Sequence, residues 1–287
     1  MKRKRFLYIS FVATLILTLF TAARSSSFAK RNVAIFPLYF PLFYKPCVAT
    51  HIQGKIYYLK LSLDTKLPLT LKKEVLEILD KTPHGKTHWI NEKGGSFDEE
   101  TYLISSIKIG NRLLKEVEVC EEQESRLIQK AFGIIGRPLL EQQNLFFDFP
   151  HGALFIEESL RFLQKRGFCP KKLVKIPFTK NKGGLVVEVE TDLGTRRLSL
   201  SISNSHTFIR PSLAKNFTCE VESENLPFLP SSRLVLGGED FGKKSLYLVD
   251  FTEKITEIDG CIGMDFLKQH VLYLDFKNNL AYIDKKK

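Results

Sequence analysis

Residues 132–156 read FGIIGRPLLEQQNLFFDFPHGALFI, and residues 259–283 read DGCIGMDFLKQHVLYLDFKNNLAYI. The two stretches align without a gap at an offset of 127, with nine identities in 25 positions. The identical pairs are Gly133/Gly260, Ile135/Ile262, Gly136/Gly263, Leu140/Leu267, Gln142/Gln269, Leu145/Leu272, Asp148/Asp275, Phe149/Phe276 and Ile156/Ile283. Each copy has the pattern of a short apolar strand ending at a glycine, one helical turn (138–143; 265–270) and two further strands. Asp148 to Gly152 and Asp275 to Asn279 carry turn chemistry between those last strands, where an Asp side chain accepts local backbone hydrogen bonds. A repeat of this length, found before any motif, indicates one supersecondary unit used twice.

Working outward, the duplication extends upstream. Residues 48–52, a turn at Gln53-Gly54 and residues 56–63 alternate as a hairpin that runs into Asp64-Thr65-Lys66. In the second half, residues 185–190, a turn around Asp192-Leu193-Gly194 and residues 198–202 run into Ser203-Asn204-Ser205. An apolar patch and a short helix (72–79; 211–216) follow each. The repeat therefore covers whole lobes, about 32–157 and 176–284, and residues 158–175 read as a helix and basic linker.

A hairpin delivering hydrophobic-Asp-Thr, a middle hairpin, then hydrophobic-hydrophobic-Gly and a short helix resemble the retropepsin-like and pepsin-like aspartic proteases. Leu61-Ser62-Leu63-Asp64-Thr65 is similar to that family's active-site strand, and residues 133–140, GIIGRPLL, are similar to its closing segment. Residues 101–119 and 233–248 are similar to the hairpins between these landmarks. The resemblance implies an all-β fold with few short helices: two acid-protease lobes related by a pseudo-twofold axis. The expected boundaries are 1–29 for an N-terminal signal or anchor, 30–157 for the first lobe, 158–175 for the linker and 176–287 for the second lobe.

The same resemblance implies a damaged active site. Peptide hydrolysis in this family uses two carboxylates about 3 Å apart that share one proton, one acting as base on a water and the other as acid. Each lobe should supply Asp-Thr-Gly or Asp-Ser-Gly. The first lobe offers Asp64-Thr65-Lys66, with Lys in place of the glycine, and the second offers Ser203-Asn204-Ser205, with no acid. Asp192-Leu193-Gly194-Thr195 lies in the turn before the strand and is a poor substitute. The catalytic candidates are thus Asp64, oriented by Thr65, with Ser203 as the degenerate second-lobe equivalent; Lys66 and His206 are side chains that could fill the cleft. Trp89 with Gly94 and Gly95 falls where the family carries its flap and forms the substrate-binding candidate. Three readings stay open: a pseudo-protease that binds peptides or scaffolds, an active endopeptidase formed when two chains pair through Asp64, and a structural protein without a ligand. The expected partner is a peptide or protein segment, with a monomer implied by the first reading and a homodimer by the second.

Composition bounds the remaining classes. The chain has 287 residues, 44% hydrophobic and 26% charged, enough for a sizeable core. The net charge of +11 resembles a nucleic-acid signal until it is located. Lys2, Arg3, Lys4, Arg5 and Arg24 precede Ala29, leaving +6 beyond it, of which Lys285 to Lys287 hold three. No basic stripe remains, so no nucleic-acid partner is expected. The basic n-region and uncharged Phe6 to Phe20, with small residues at Ala23 or Ala29, form the pattern of a secretory signal. The body is therefore expected in a bacterial periplasm, either released or held at the inner membrane by an uncleaved N-terminus.

Five cysteines (47, 120, 169, 219 and 261) leave at least one thiol unpaired, and most read as small buried hydrophobes. None lies in a metal-ligand spacing, and no cofactor motif is present: Asp240-Phe241-Gly242 lacks the companions that give such a tripeptide meaning. His84 and His88 are four apart, but Pro83 and Gly85 oppose a helix that would give them a common metal face. The apolar residues 36–44 are expected to form an irregular or edge segment at the lobe junction.

Overall fold

The computed structural model describes residues 34–40, 45–90, 96–109, 112–122, 131–156, 163–164, 169–215, 217–221, 226–251 and 257–285. Strands dominate, and the expected all-β, two-lobe architecture is what the chain adopts. Among the described residues, four-residue α-helices at Lys73–Leu76, Arg137–Leu140 and Met264–Leu267 accompany them, with 3-10 turns at Pro170–Lys172 and Pro211–Leu213.

The quoted repeat forms the centre. A six-stranded antiparallel sheet runs in the order Leu173–Pro177, Leu280–Asp284, Val271–Asp275, Leu145–Asp148, Ala153–Ile156, Ala34–Tyr39. Each half of the chain supplies three strands, and the halves meet where Val271 pairs with Asp148 and Leu274 with Leu145. The repeated turns close as their chemistry requires. Asp148 Oδ1 accepts from His151 N at 3.3 Å, and Asp275 Oδ1 accepts from Asn278 N at 3.1 Å. Both aspartates are buried in these turns.

Each lobe then builds its own sheet around the glycine-ended strand. In the first, Gly133–Ile135 lies parallel to Lys55–Leu61 and antiparallel to Leu69–Leu71, which pairs in parallel with Arg112–Glu121. In the second, Gly260–Ile262 lies parallel to Gly194–Leu200 and antiparallel to Phe208–Ile209, which pairs in parallel with Glu239–Leu248. The repeated glycines permit this threading. A Cβ on Gly133 would stand 2.2 Å from Thr70 O, and one on Gly260 would stand 2.0 Å from Phe208 O. At Gly136 and Gly263 it would stand 1.8 Å from Leu67 O and 2.2 Å from His206 O. No side chain fits where backbone passes backbone so closely.

The core follows the strand alternation. Leu61, Leu63, Leu69, Leu71 and Ile135 fill the first lobe; Leu198, Leu200, Ile202, Ile209 and Ile262 fill the second. Burying each such side chain stabilises the fold by roughly 1.5–3 kcal/mol.

Three local expectations change. Residues 36–39 lie in the regular strand Ala34–Tyr39, which pairs with Ala153–Ile156 and then with Cys47–Ile52, tying the central sheet to the first lobe. Residues 41–44 lie outside the described residues. The second half begins in strand at Leu173, three residues before the expected boundary, because Leu173 to Pro177 pair with Leu280 to Asp284. The helix expected at 158–175 falls mainly outside the described residues.

Candidate active site at the lobe junction

Two loops meet where the lobes face each other: residues 62–66, after Lys55–Leu61, and residues 201–205, after Gly194–Leu200. Backbone bonds set their equivalence. Ser62 N donates to Ile135 O at 3.0 Å, as Ser201 N does to Ile262 O. Arg137 N donates to Thr65 O at 3.1 Å, as Met264 N does to Asn204 O at 2.8 Å. Position 62 therefore matches 201, 64 matches 203, and 65 matches 204.

The side chains cross between the loops. Ser201 donates its hydroxyl to Asp64 Oδ2 at 2.5 Å. The symmetry-related contact joins Ser203 Oγ and Ser62 Oγ at 2.9 Å. Within each loop the first serine meets the residue three positions on: Thr65 Oγ1 lies 2.9 Å from Ser62 Oγ, and Asn204 Nδ2 donates to Ser201 Oγ at 2.9 Å. Ser62 and Ser201 are buried, whereas Asp64, Thr65, Ser203 and Asn204 are half-buried. The cluster holds one carboxylate among hydroxyls and an amide. A serine hydroxyl does not ionise in the range where carboxylates exchange protons, so it cannot replace the second acid.

More contacts brace this junction. Arg137 Nη1 donates to Asn181 O at 3.0 Å, and Lys180 pairs with Glu141 at 3.3 Å. Asn144 Nδ2 donates to Tyr273 Oη at 3.1 Å, and Asn144 Oδ1 accepts from Phe276 N at 3.1 Å. Gly184, at φ +121°, lies so close to Asp64 that a Cβ there would stand 2.9 Å from Oδ1.

Charge continues beneath the first loop. Lys60 lies on the strand Lys55–Leu61 that leads into this loop, two residues before Ser62, and is buried. Burial lowers its pKa, and so does Lys45, while Glu122 and Asp64 oppose the shift. Glu122 is buried too and accepts a hydrogen bond from Thr70. The neighbouring thiols are held in the protonated form: burial pushes Cys47 up to about 11 and holds Cys261 well above the ordinary thiol range. All five cysteines are free thiols; Cys47, Cys120 and Cys261 are buried, and Cys169 and Cys219 are exposed.

Of the residues nominated from sequence, the structure brings Asp64, Thr65 and Ser203 together. Lys66 is exposed, and the His206 ring packs on Tyr247 with centroids 4.4 Å apart. Trp89 lies near the end of strand Lys81–Ile90, opposite Phe97 in the hairpin with Ser96–Ile109. Gly94 and Gly95 lie outside the described residues. His84 and His88 are on that strand rather than a helix, and His88 Nδ1 meets Asp98 Oδ1 at 2.8 Å. Asp192 stays in its turn, accepting from Arg233 N at 3.0 Å. Sequence reasoning missed Ser62, Ser201, Lys60 and Glu122. Ser62-x-x-Thr65 and Ser201-x-x-Asn204 recur at equivalent positions, a signal hidden by the better-known Asp-Thr pair.

Comparison with known proteins supports the architecture. The chain resembles the crystal structure of the aspartic proteinase from Irpex lacteus, with a TM-score of 0.64 and 11% identity. The match covers 89% of this chain and 98% of that one. No protein-family model and no curated protein matches the sequence. The likeness is one of fold.

Proposed function

We propose that this chain is an exported pseudo-protease: a two-lobed aspartic-protease-like body, without peptidase activity, that binds a peptide or protein segment or scaffolds one. The observation that carries the reading is the pairing of Asp64, the one carboxylate in the two facing loops 62–66 and 201–205, with the hydroxyl of buried Ser201. Two acids sharing a proton need a second carboxylate at that distance, and a hydroxyl stands there instead. The same pairing disfavours an active homodimer. Asp64 is engaged by the second lobe of its own chain, and the central sheet already joins the two halves. The long hairpin formed by Lys81–Ile90 and Ser96–Ile109 favours peptide capture over a purely structural role.

The test is a mixed-peptide cleavage assay of the purified chain from about pH 3 to 7, where carboxylate pairs titrate, with Asp64→Asn as control. No cleavage by either protein is expected, together with retention of a peptide subset. Cleavage that disappears in Asp64→Asn would establish the endopeptidase reading. Absence of any peptide retention would favour the structural one. Export follows from the N-terminal basic and apolar pattern; an N-terminal sequence of the periplasmic protein beginning near Ala23 or Ala29 would establish it.

A further inference from the structure

The oxygen of Ser62 has more donors than a hydroxyl can serve. Asp64 N lies 3.3 Å from it, Thr65 N 3.2 Å, Thr65 Oγ1 2.9 Å and Ser203 Oγ 2.9 Å. A hydroxyl has two lone pairs and one proton. The two N–H groups take both lone pairs, the Ser62 proton can serve one neighbouring hydroxyl, and the other hydroxyl competes for an occupied oxygen. A carboxylate, with two oxygens and about four lone-pair sites, would accept all four donors.

The other lobe repeats the arrangement in simpler form. Ser201 makes the same backbone bond as Ser62 and accepts from the residue three positions on, Asn204. Asp64 and its equivalent Ser203 are engaged across the junction. Both reach out of their loops to the first serine of the opposite one.

From this donor geometry we infer that Ser62 and Ser201 occupy the two acid positions of the repeat, and that Asp64 is a junction residue two positions beyond. The hydrophobic-Asp-Thr-Gly pattern then falls on Leu61-Ser62-Leu63-Asp64 and on Leu200-Ser201-Ile202-Ser203. Both lobes have exchanged the acid for serine, and the Lys in Asp64-Thr65-Lys66 no longer stands at a glycine position. The inference rests on the pseudo-protease reading and extends it: the loss of acids is symmetric, and Asp64 is not a remnant nucleophile activator.

The test compares Ser62→Asp with Ser62→Asn, and Ser203→Asp with Ser203→Asn, by thermal unfolding as a function of pH. A carboxylate at 62, held by two backbone N–H groups and two hydroxyls, has its folded pKa lowered. Its advantage over the amide is therefore full above the unfolded value of about 3.9 and is lost as pH falls through the folded one. Ser62→Asp is expected to melt several degrees above Ser62→Asn at neutral pH, with the gap closing in acid, and the pair at 203 to show no such gap. A Ser62→Asp protein that fails to fold while Ser62→Asn folds, equal melting of the two, or a pH-dependent gap at 203 instead would each overturn the assignment. Peptide cleavage by the unmutated chain would defeat the pseudo-protease reading without altering this comparison, so the two failures are distinguishable.

Discussion

The two lobes share a frame but spend it differently. In the first, Lys81–Ile90 and Ser96–Ile109 form a long hairpin; in the second, the strand preceding Pro227–Leu236 is the two-residue Glu220–Val221. The first-lobe loop carries the carboxylate and has a buried Lys60 and Glu122 close behind it. The equivalent of Lys60 in the second lobe is Ser199, and its loop offers hydroxyls and an amide. What both lobes keep is the glycine-ended strand and its passage between two neighbours. Constraints of backbone geometry have held where constraints of chemistry have not, because a blocked backbone crossing disrupts the whole lobe and a lost acid disrupts one reaction.

The strongest way to break this comparison is at the shared glycines. Gly136→Ala and Gly263→Ala each push a methyl group into a backbone carbonyl. Each is expected to destabilise the protein by more than about 3 kcal/mol, or to prevent folding, as read by denaturant unfolding. If one lobe tolerated its substitution, the two crossings would not be equivalent in energy.

The junction sharpens the difference between the lobes. Ser201→Ala removes a donor from the Asp64 carboxylate and is expected to cost about 1.5–3 kcal/mol. Ser203→Ala removes a contact between two hydroxyls and should cost about 0.5–1.5 kcal/mol. Equal losses in the same unfolding experiment would mean that the carboxylate adds nothing to the clasp.

The smallest effect concerns the ends of the repeat. His270 and Asp284 close the second copy, where the first has Gln143 at the position of His270. Burial works against the Asp284 charge, but bonds from the His270 ring and from Val271 N outweigh it and hold this carboxyl below its ordinary range. Its contribution is therefore present above the unfolded pKa and lost as pH falls through the lower folded value. Asp284→Asn should flatten part of the acid side of the melting curve, while Gln143→Ala should leave its shape unchanged.

Much of the fold was legible because it is written twice. The aligned glycines, the Asp-initiated turns and the alternating strands each have a local cause, and all recur at a fixed offset. The site was legible only in part. Asp64 and Ser203 are correctly matched by sequence, and both lie at the junction, but the importance of Ser62 and Ser201 depends on donors that arrive from Thr65, Asn204 and the opposite loop. Helix lengths were overestimated: Lys73–Leu76 is four residues where the apolar pattern suggested eight, and residues 211–213 form a 3-10 turn. Tertiary packing rather than helical propensity ends such short elements.

The sequence by itself therefore determined the duplication and the succession of strands and turns within each copy, since these follow from spacing and from local turn chemistry, whereas the crossings at the repeated glycines appear only in the folded chain. The tertiary structure alone decided which oxygens face one another across the lobes and which lysine lies buried beneath them. Those contacts join residues 137 and 141 positions apart, and no local pattern encodes a distance that exists only after both halves have folded and docked.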